Sequence, residues 1–186
     1  MVDHRRAPAP RVRRPGGPRA GGVRCGVIQT GPVQHASSPA ELAALAAAIE
    51  DWLEVQREEN PIVAAVEHDE DPEVHRWFVR VTGEEKDVFS IWFELGQRTL
   101  HYETYVMPAP EENHARFYEH LLRRNNRLMG AAFSIGEEDA VFLAGALPNH
   151  AIDHDELDRI LGSLYVWTEQ FFKPALLIGF ASRFPS

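Results

Sequence analysis

Apolar and polar residues change their period several times along the chain, and each change marks a predicted element. From residue 39 to about residue 58 the apolar side chains recur at helical spacing, which predicts an amphipathic helix. Ser38, Pro39 and Glu41 form a capping-box pattern at its start, and Asn60 with Pro61 ends it. The apolar stripe consists of Leu42, Leu45, Ile49, Trp52 and Leu53.

The next part of the chain alternates apolar and polar residues, which predicts strands rather than helices. A short β-branched run at 62–67 precedes an acidic turn, and three alternating runs follow at 76–82, 88–95 and 98–107. Short loops join them, so we expect consecutive antiparallel strands. Their faces are rich in aromatic residues, which dominate both protein cores and protein interfaces.

A second helix and a hairpin are predicted after the prolines at 108–110 interrupt the sheet. The span 111–129 has apolar residues at helical spacing, acidic residues in its first turn and arginines in its last, and Gly130 follows it. Runs at 132–135 and 140–147 form the hairpin. The second run is nearly all apolar, so we expect it to be a central strand.

The last predicted helix completes the fold. Asp153 is its N-cap, with Glu156 in capping-box spacing, and Pro174 is expected to end it. Runs of strands flanked by helices predict an α+β fold with an antiparallel sheet of about five to six strands and three helices. The expected order is α-β-β-β-(β)-α-β-β-α. We assign this domain to residues 38–186.

Charge separates the start of the chain from its body. Residues 1–24 hold seven arginines and one acidic residue, whereas the whole chain has a net charge of −9. The acidic body repels phosphate backbones, so we expect no nucleic-acid binding by the folded domain and only weak, non-specific polyanion contact by the tail. Residues 1–37, rich in Arg, Pro and Gly, are predicted to be a disordered tail. A mis-assigned start or an inert leader explains the same composition.

The cysteine content and the hydropathy of the chain bear on its compartment. Cys25 is the only cysteine, which excludes an internal disulfide and a cysteine zinc site and fits a reducing compartment. The N-terminal arginines lack the apolar segment of a signal peptide, and no apolar run approaches the ~20 residues of a membrane span. We therefore predict a cytoplasmic protein without a membrane span.

Two clusters of histidines and carboxylates suggest a metal site. One lies at 150–156, with His150 and His154, and the other at 68–75. Such ligands suit zinc and other divalent ions, but neither cluster has the spacing of HExxH or of an EF-hand loop. Acidic caps and solvated turns explain the same residues. We predict no metal and keep a metal- or small-ligand-dependent enzyme using 150–156 as the alternative.

Catalytic motifs are equally scarce in the sequence. GxSxG, a P-loop and a GxGxxG that follows a strand are all absent, so no cofactor is predicted. His101 and Glu103 share a strand face and could form an acid/base pair, although a solvated face explains them equally simply. We predict that the protein is not an enzyme.

The order of elements and three stretches of sequence resemble the YbjN-domain family, in particular its actinobacterial members. The stretches are 100–108 (LHYETYVMP), 118–126 (YEHLLRRNN) and 142–148 (FLAGALP), and the resemblance extends over residues 39–184. It implies a fold similar to that of type III secretion chaperones, which are dimers that bind unfolded or extended segments of other proteins. Family members are described as regulators of sensory transduction, and the resemblance supplies no catalytic residues. The tail lies outside the family pattern.

The sequence thus predicts a non-enzymatic, regulatory or chaperone-like protein that binds a protein partner and forms a homodimer. Fold alone does not fix function, so the partner's identity stays open. Asn125 follows the apolar stripe of the second helix, where it either sets register in an oligomer or marks fraying of the helix end. The candidate surface for a partner or a second copy consists of Trp77, Tyr102, Tyr105, Tyr118, Asn125 and Asn126.

Overall fold

A computed structural model describes residues 35–71 and 73–184, and the fold is that of these residues. They form one six-stranded antiparallel sheet and three α-helices in the order α-β-β-β-β-α-β-β-α, which confirms the predicted fold class. The tail predicted at 1–37 lies outside the described residues except for 35–37. The elements are α1 (Pro39–Glu59), β1 (Val63–His68), β2 (Arg76–Thr82), β3 (Val88–Leu95), β4 (Thr99–Met107), α2 (His114–Asn125), β5 (Ala131–Ile135), β6 (Val141–Pro148) and α3 (His154–Gly179).

Helix α1 begins where the capping box predicts. The Ser38 amide donates to the Glu41 carboxylate at 2.7 Å, and the Glu41 amide donates to the Ser38 hydroxyl at 3.3 Å. Further along the helix, Trp52 meets Phe93 edge to face at 5.7 Å, and its indole N–H donates to Asp158 of α3 at 2.7 Å. Trp52 therefore joins α1 both to the sheet and to α3.

The strand order is β1-β2-β3-β4-β6-β5, so β6 is an interior strand, as its apolar sequence predicts. The helices pack on one face of this sheet, where Tyr165 of α3 stacks on Phe89 and Phe171 of α3 meets Phe133 edge to face. Alternate residues of β2, β3 and β4 supply the core on that side. None of the helices in the described ranges is long and apolar enough to cross a membrane.

Helix α2 is shorter than the predicted span of 111–129. Asn113 has a φ of 53°, in the left-handed region, so the helix cannot begin before His114. Instead of continuing a helix, the amides of Glu111 and Glu112 donate to the Gly179 carbonyl at 2.9 and 3.0 Å. The predicted first turn of α2 is in fact a connection to the end of α3.

Helix α3 passes through Pro174, so the prediction that this proline ends the helix is wrong. Pro174 is exposed, whereas Ala175 and Gly179 in the next turns are buried. A Cβ at Gly179 would lie 2.8 Å from the Phe117 ring, which shows how closely α3 approaches α2 there. Burial of the last turns offsets the roughly 3 kcal/mol that an interior proline costs a helix.

Candidate functional site

The sheet face opposite the helices carries two aromatic pairs. Phe78 meets Trp92 at 5.5 Å and Tyr105 meets Phe142 at 5.6 Å, both edge to face. Trp92 is 39% exposed and Tyr105 is 40% exposed. Aromatic side chains are enriched in protein interfaces, so we treat this face as a candidate site. We call it the open face, and its central residues are Phe78, Ser90, Trp92, Glu103, Tyr105 and Phe142.

Ion pairs flank the open face on the β1 side. Arg76 pairs with Glu94 at 2.7 Å and with Asp69 at 3.0 Å, and Arg80 pairs with Glu67 at 2.7 Å. Exposed pairs of this kind add little to stability. The two arginines offset two of these three carboxylates, and Glu103 lies on the face itself, so the open face keeps a small net negative charge.

The six residues predicted as a partner surface do not lie together. Trp77 and Tyr102 are 1% and 3% exposed and belong to the core, so neither can contact a partner at the surface. The Tyr102 hydroxyl donates to the Gly130 carbonyl at 2.8 Å, and burial raises its pKa. Tyr118 lies half-buried on α2. Tyr105 alone among the predicted aromatic residues lies on the open face.

Asn125 has a role within its own chain that sequence reasoning did not find. It is the last residue of α2, and its side chain accepts from the Phe133 N–H at 2.8 Å and donates to the Phe133 carbonyl at 3.2 Å. Phe133 belongs to β5, the strand at one edge of the sheet. Asn125 thus takes the place of a neighbouring strand at that edge, whereas Asn126 is exposed.

The loop between β2 and β3 is held on α3 by a carboxylate. Glu169 accepts from three consecutive amides, those of Glu84 at 2.6 Å, Glu85 at 2.8 Å and Lys86 at 3.1 Å. A Cβ at Gly83 would lie 2.3 Å from a Glu169 oxygen, so only glycine fits at that position. We call this arrangement the loop anchor.

Lys86 completes the loop anchor from the other side. Its ammonium donates to the Val106 carbonyl at 2.9 Å and to the Tyr105 carbonyl, and it lies over the rings of Phe89, Tyr105 and Phe172 at 5.0 to 5.7 Å. Burial lowers the pKa of Lys86 to about 8, and the charge of Glu169 opposes that shift. Lys86 did not appear among the candidates from sequence. The one available signal was that the chain has only two lysines, Lys86 and Lys173.

The segment 150–156, proposed above as an alternative metal or small-ligand site, is largely engaged in local structure. His150 lies in a short 3-10 turn, Asp153 accepts from the Glu156 amide at 2.8 Å, and Glu156 pairs with Arg159. Within 35–71 and 73–184, no three His, Cys, Asp or Glu side chains gather as a metal site would require. The alternative therefore gains no support from the geometry.

A cavity of about 430 Å³ lies beside His150, between the start of α1 and the end of β6. His35, Arg98 and Asn149 also line it. The Asn149 side-chain oxygen is buried and accepts no hydrogen bond from a described residue, so a water or a small donor would satisfy it. Ser37 lies in the same lining, and its hydroxyl accepts from the Asn149 side-chain amide at 3.0 Å.

Comparison with known proteins places these features in a family. The YbjN family, described as "Putative bacterial sensory transduction regulator", matches residues 45–176. Uncharacterized proteins of Mycobacterium tuberculosis and Mycobacterium bovis are 34% identical over 104 residues, which is 56% of this chain and 57% of theirs. An uncharacterized protein of Mycobacterium leprae is 32% identical over 107 residues, 58% of each chain. The chain thus spans less than two thirds of these relatives.

The family match covers well over half of the 186 residues and includes elements from α1 to α3. The relatives named are mycobacterial, in agreement with the resemblance to actinobacterial members. A family of regulators supports a regulatory, non-enzymatic role. The resemblance inferred from sequence is confirmed, and the chain belongs to the YbjN family.

Proposed function

We propose that the chain is a regulatory protein without catalytic activity that binds another polypeptide on the open face of its sheet. The observation that carries the proposal is the pair of aromatic contacts on a sheet face that none of the three described helices covers, with Trp92 and Tyr105 each about two fifths exposed. Aromatic side chains are enriched in interfaces because they bury a large area with few rotatable bonds. The family's description supports the regulatory part of the proposal.

The first occupant that we propose for the open face is a second copy of the chain. The arginines at its border are paired with carboxylates of the same chain, which reduces the like-charge repulsion between two opposed open faces. A two-fold axis would place the aromatic pairs of one copy against those of the other. The chaperone-like resemblance motivates a protein partner as a further occupant, and the lack of a second cysteine suits action in the reducing cytoplasm.

Sedimentation equilibrium of the full chain tests the dimer. We expect Trp92→Thr to weaken self-association by at least about tenfold, since it removes the largest exposed ring of the open face and keeps strand propensity. Val166→Thr is the matched control, because Val166 is an exposed apolar residue on α3, away from the open face. A wild-type chain that stays monomeric at about 1 mM contradicts the dimer.

Photo-crosslinking tests the open face directly. A photoreactive phenylalanine at Tyr105 should crosslink a second copy or a protein partner, whereas the same residue at Val166 should not. Both positions are exposed, so access to the reagent is matched. Equal crosslinking from the two positions would show that the open face has no special role.

A further inference from the structure

The two edges of the sheet differ in their backbone hydrogen bonding. At the β5 edge, the Asn125 side chain occupies both outward groups of Phe133. Helix α2 contacts this strand and α1 contacts β1, so the Asn125 side chain is what distinguishes the two edges. A strand that approached the β5 edge would therefore meet the Asn125 side chain at Phe133, in the middle of the strand, and could not pair along its whole length.

At the β1 edge, alternate backbone groups point away from the sheet. The Asp69 N–H donates to the Arg76 carbonyl at 3.0 Å. Because the hydrogen-bonded pairs alternate along the strand, residues 65, 67 and 69 point their backbone groups toward β2. In an antiparallel pair, the residues between them point their N–H and C=O groups the other way. Val66 and His68 are those residues, and no hydrogen bond from elsewhere in the described chain reaches their outward groups.

The surroundings of the β1 edge are acidic. The segment 62–75 contains five acidic residues and no lysine or arginine. Two of the five are paired with arginines of β2, whereas Glu70, Asp71 and Glu73 are exposed. This charge repels the same edge of a second copy and attracts a basic segment.

We propose that the β1 edge receives an extended, positively charged segment of a partner protein, which adds to the sheet as a seventh strand. The inference rests on the proposed protein-binding function and adds to it a second contact and the chemistry of the partner. Main-chain hydrogen bonds to Val66 and His68 hold the segment, and lysine or arginine side chains beside the acidic turn select it.

Fluorescence anisotropy with the full chain tests the proposal. The probe is a labelled eight-residue peptide of alternating valine and lysine, compared with one of alternating valine and glutamate. We expect the basic peptide to bind at least about tenfold more tightly, and its affinity to fall with added salt. Two further basic peptides carry N-methyl groups on alternate amides, one on the amides of the valines and the other on the amides of the lysines. Only the peptide whose methylated amides face β1 should bind more weakly, because only those amides donate hydrogen bonds to the protein.

Variants of the chain give a matched test at the edge itself. Val66→Pro removes an outward N–H without removing a hydrogen bond to β2, and Val66→Ala keeps that N–H while shortening the same side chain. We expect Val66→Pro to lose peptide affinity by at least about tenfold and Val66→Ala to change it by less than about threefold. If Val66→Pro does not fold, the difference in affinity between the two methylated peptides for the wild-type chain tests strand addition at β1.

The outcomes separate this inference from the proposed function. Equal affinity for both methylated peptides and the parent peptide, or equal affinity for the basic and acidic peptides, overturns strand addition at β1. Trp92→Thr on the open face should leave peptide affinity unchanged. Loss of the dimer with peptide binding retained would therefore count against the open face alone.

Discussion

Among single residues, Asn125 shows most directly how one side chain replaces a missing strand. Replacement by alanine would leave the Phe133 N–H and C=O without partners at a half-covered edge. We expect Asn125→Ala to lower the free energy of unfolding by about 1–3 kcal/mol in urea denaturation. Asn126→Ala is the control, with a change within about 0.5 kcal/mol because Asn126 is exposed. Similar losses in the two variants would contradict the role given to Asn125.

Lys86 provides a second prediction, which concerns how the free energy of unfolding depends on pH. Burial lowers the pKa of Lys86 to about 8 in the folded chain, from an ordinary value of 10.5. Between these pH values Lys86 binds a proton in the unfolded chain but not in the folded chain, so the contribution of Lys86 to the free energy of unfolding rises with pH in this window. We expect a rise on the order of 1 kcal/mol between pH 7.5 and 9.5 in urea denaturation.

The rise should vanish in Lys86→Met, which keeps the length of the side chain and removes the titrating amine. Lys173→Met should retain it, because Lys173 is exposed and paired with Glu85 at 3.0 Å. The chain has no other lysines, so the two variants form a complete comparison. A rise that persists in Lys86→Met would assign the titration to another group.

The limits of sequence reasoning are also visible in single residues. The prediction that Trp77 and Tyr102 belong to a partner surface is wrong, because both are buried in the core. The alternating pattern put Trp92 between Ile91 and Phe93, which marks it as facing the other side of β3. Sequence alone could not reveal that the helices leave this side uncovered, since that depends on how α1 and α3 pack.

At the scale of elements, local sequence signals predicted where α1 and α3 begin better than where α3 ends. The capping box of α1 and the Asp153 N-cap of α3 fixed the starts of these helices, because hydrogen bonds within four residues decide them. The end of α3 depends on the burial of Ala175 and Gly179 against distant elements. The start of α2 depends on the left-handed backbone conformation of Asn113. Tertiary contacts of that kind leave no periodic trace in the sequence.

The loop anchor makes a prediction at the same scale. Glu169→Gln keeps the shape of the side chain but replaces an acceptor with an NH₂ group that cannot accept from the loop amides. We expect the free energy of unfolding to fall by about 1–3 kcal/mol and hydrogen exchange to quicken at the amides of Glu84, Glu85 and Lys86. Glu84→Gln, an exposed position, should leave exchange at these amides unchanged.

For the molecule as a whole, one continuous core predicts one unfolding transition. Side chains of all three helices and all six strands belong to a single buried cluster. We expect tryptophan fluorescence, which reports on buried Trp52 and Trp77, to follow the same urea curve as far-ultraviolet circular dichroism. Curves with different midpoints would show that part of the sheet or a helix unfolds separately.

The unequal edges of the sheet also limit how copies of the chain can join. Head-to-tail stacking of sheets would require the β5 strand of one copy to bond to the β1 strand of the next, and the amide of Asn125 interrupts such pairing at Phe133, in the middle of β5. An added strand at β1 therefore ends the growth of the sheet instead of starting a filament. A chain built in this way can offer one strand edge to a partner with little risk of fibril formation.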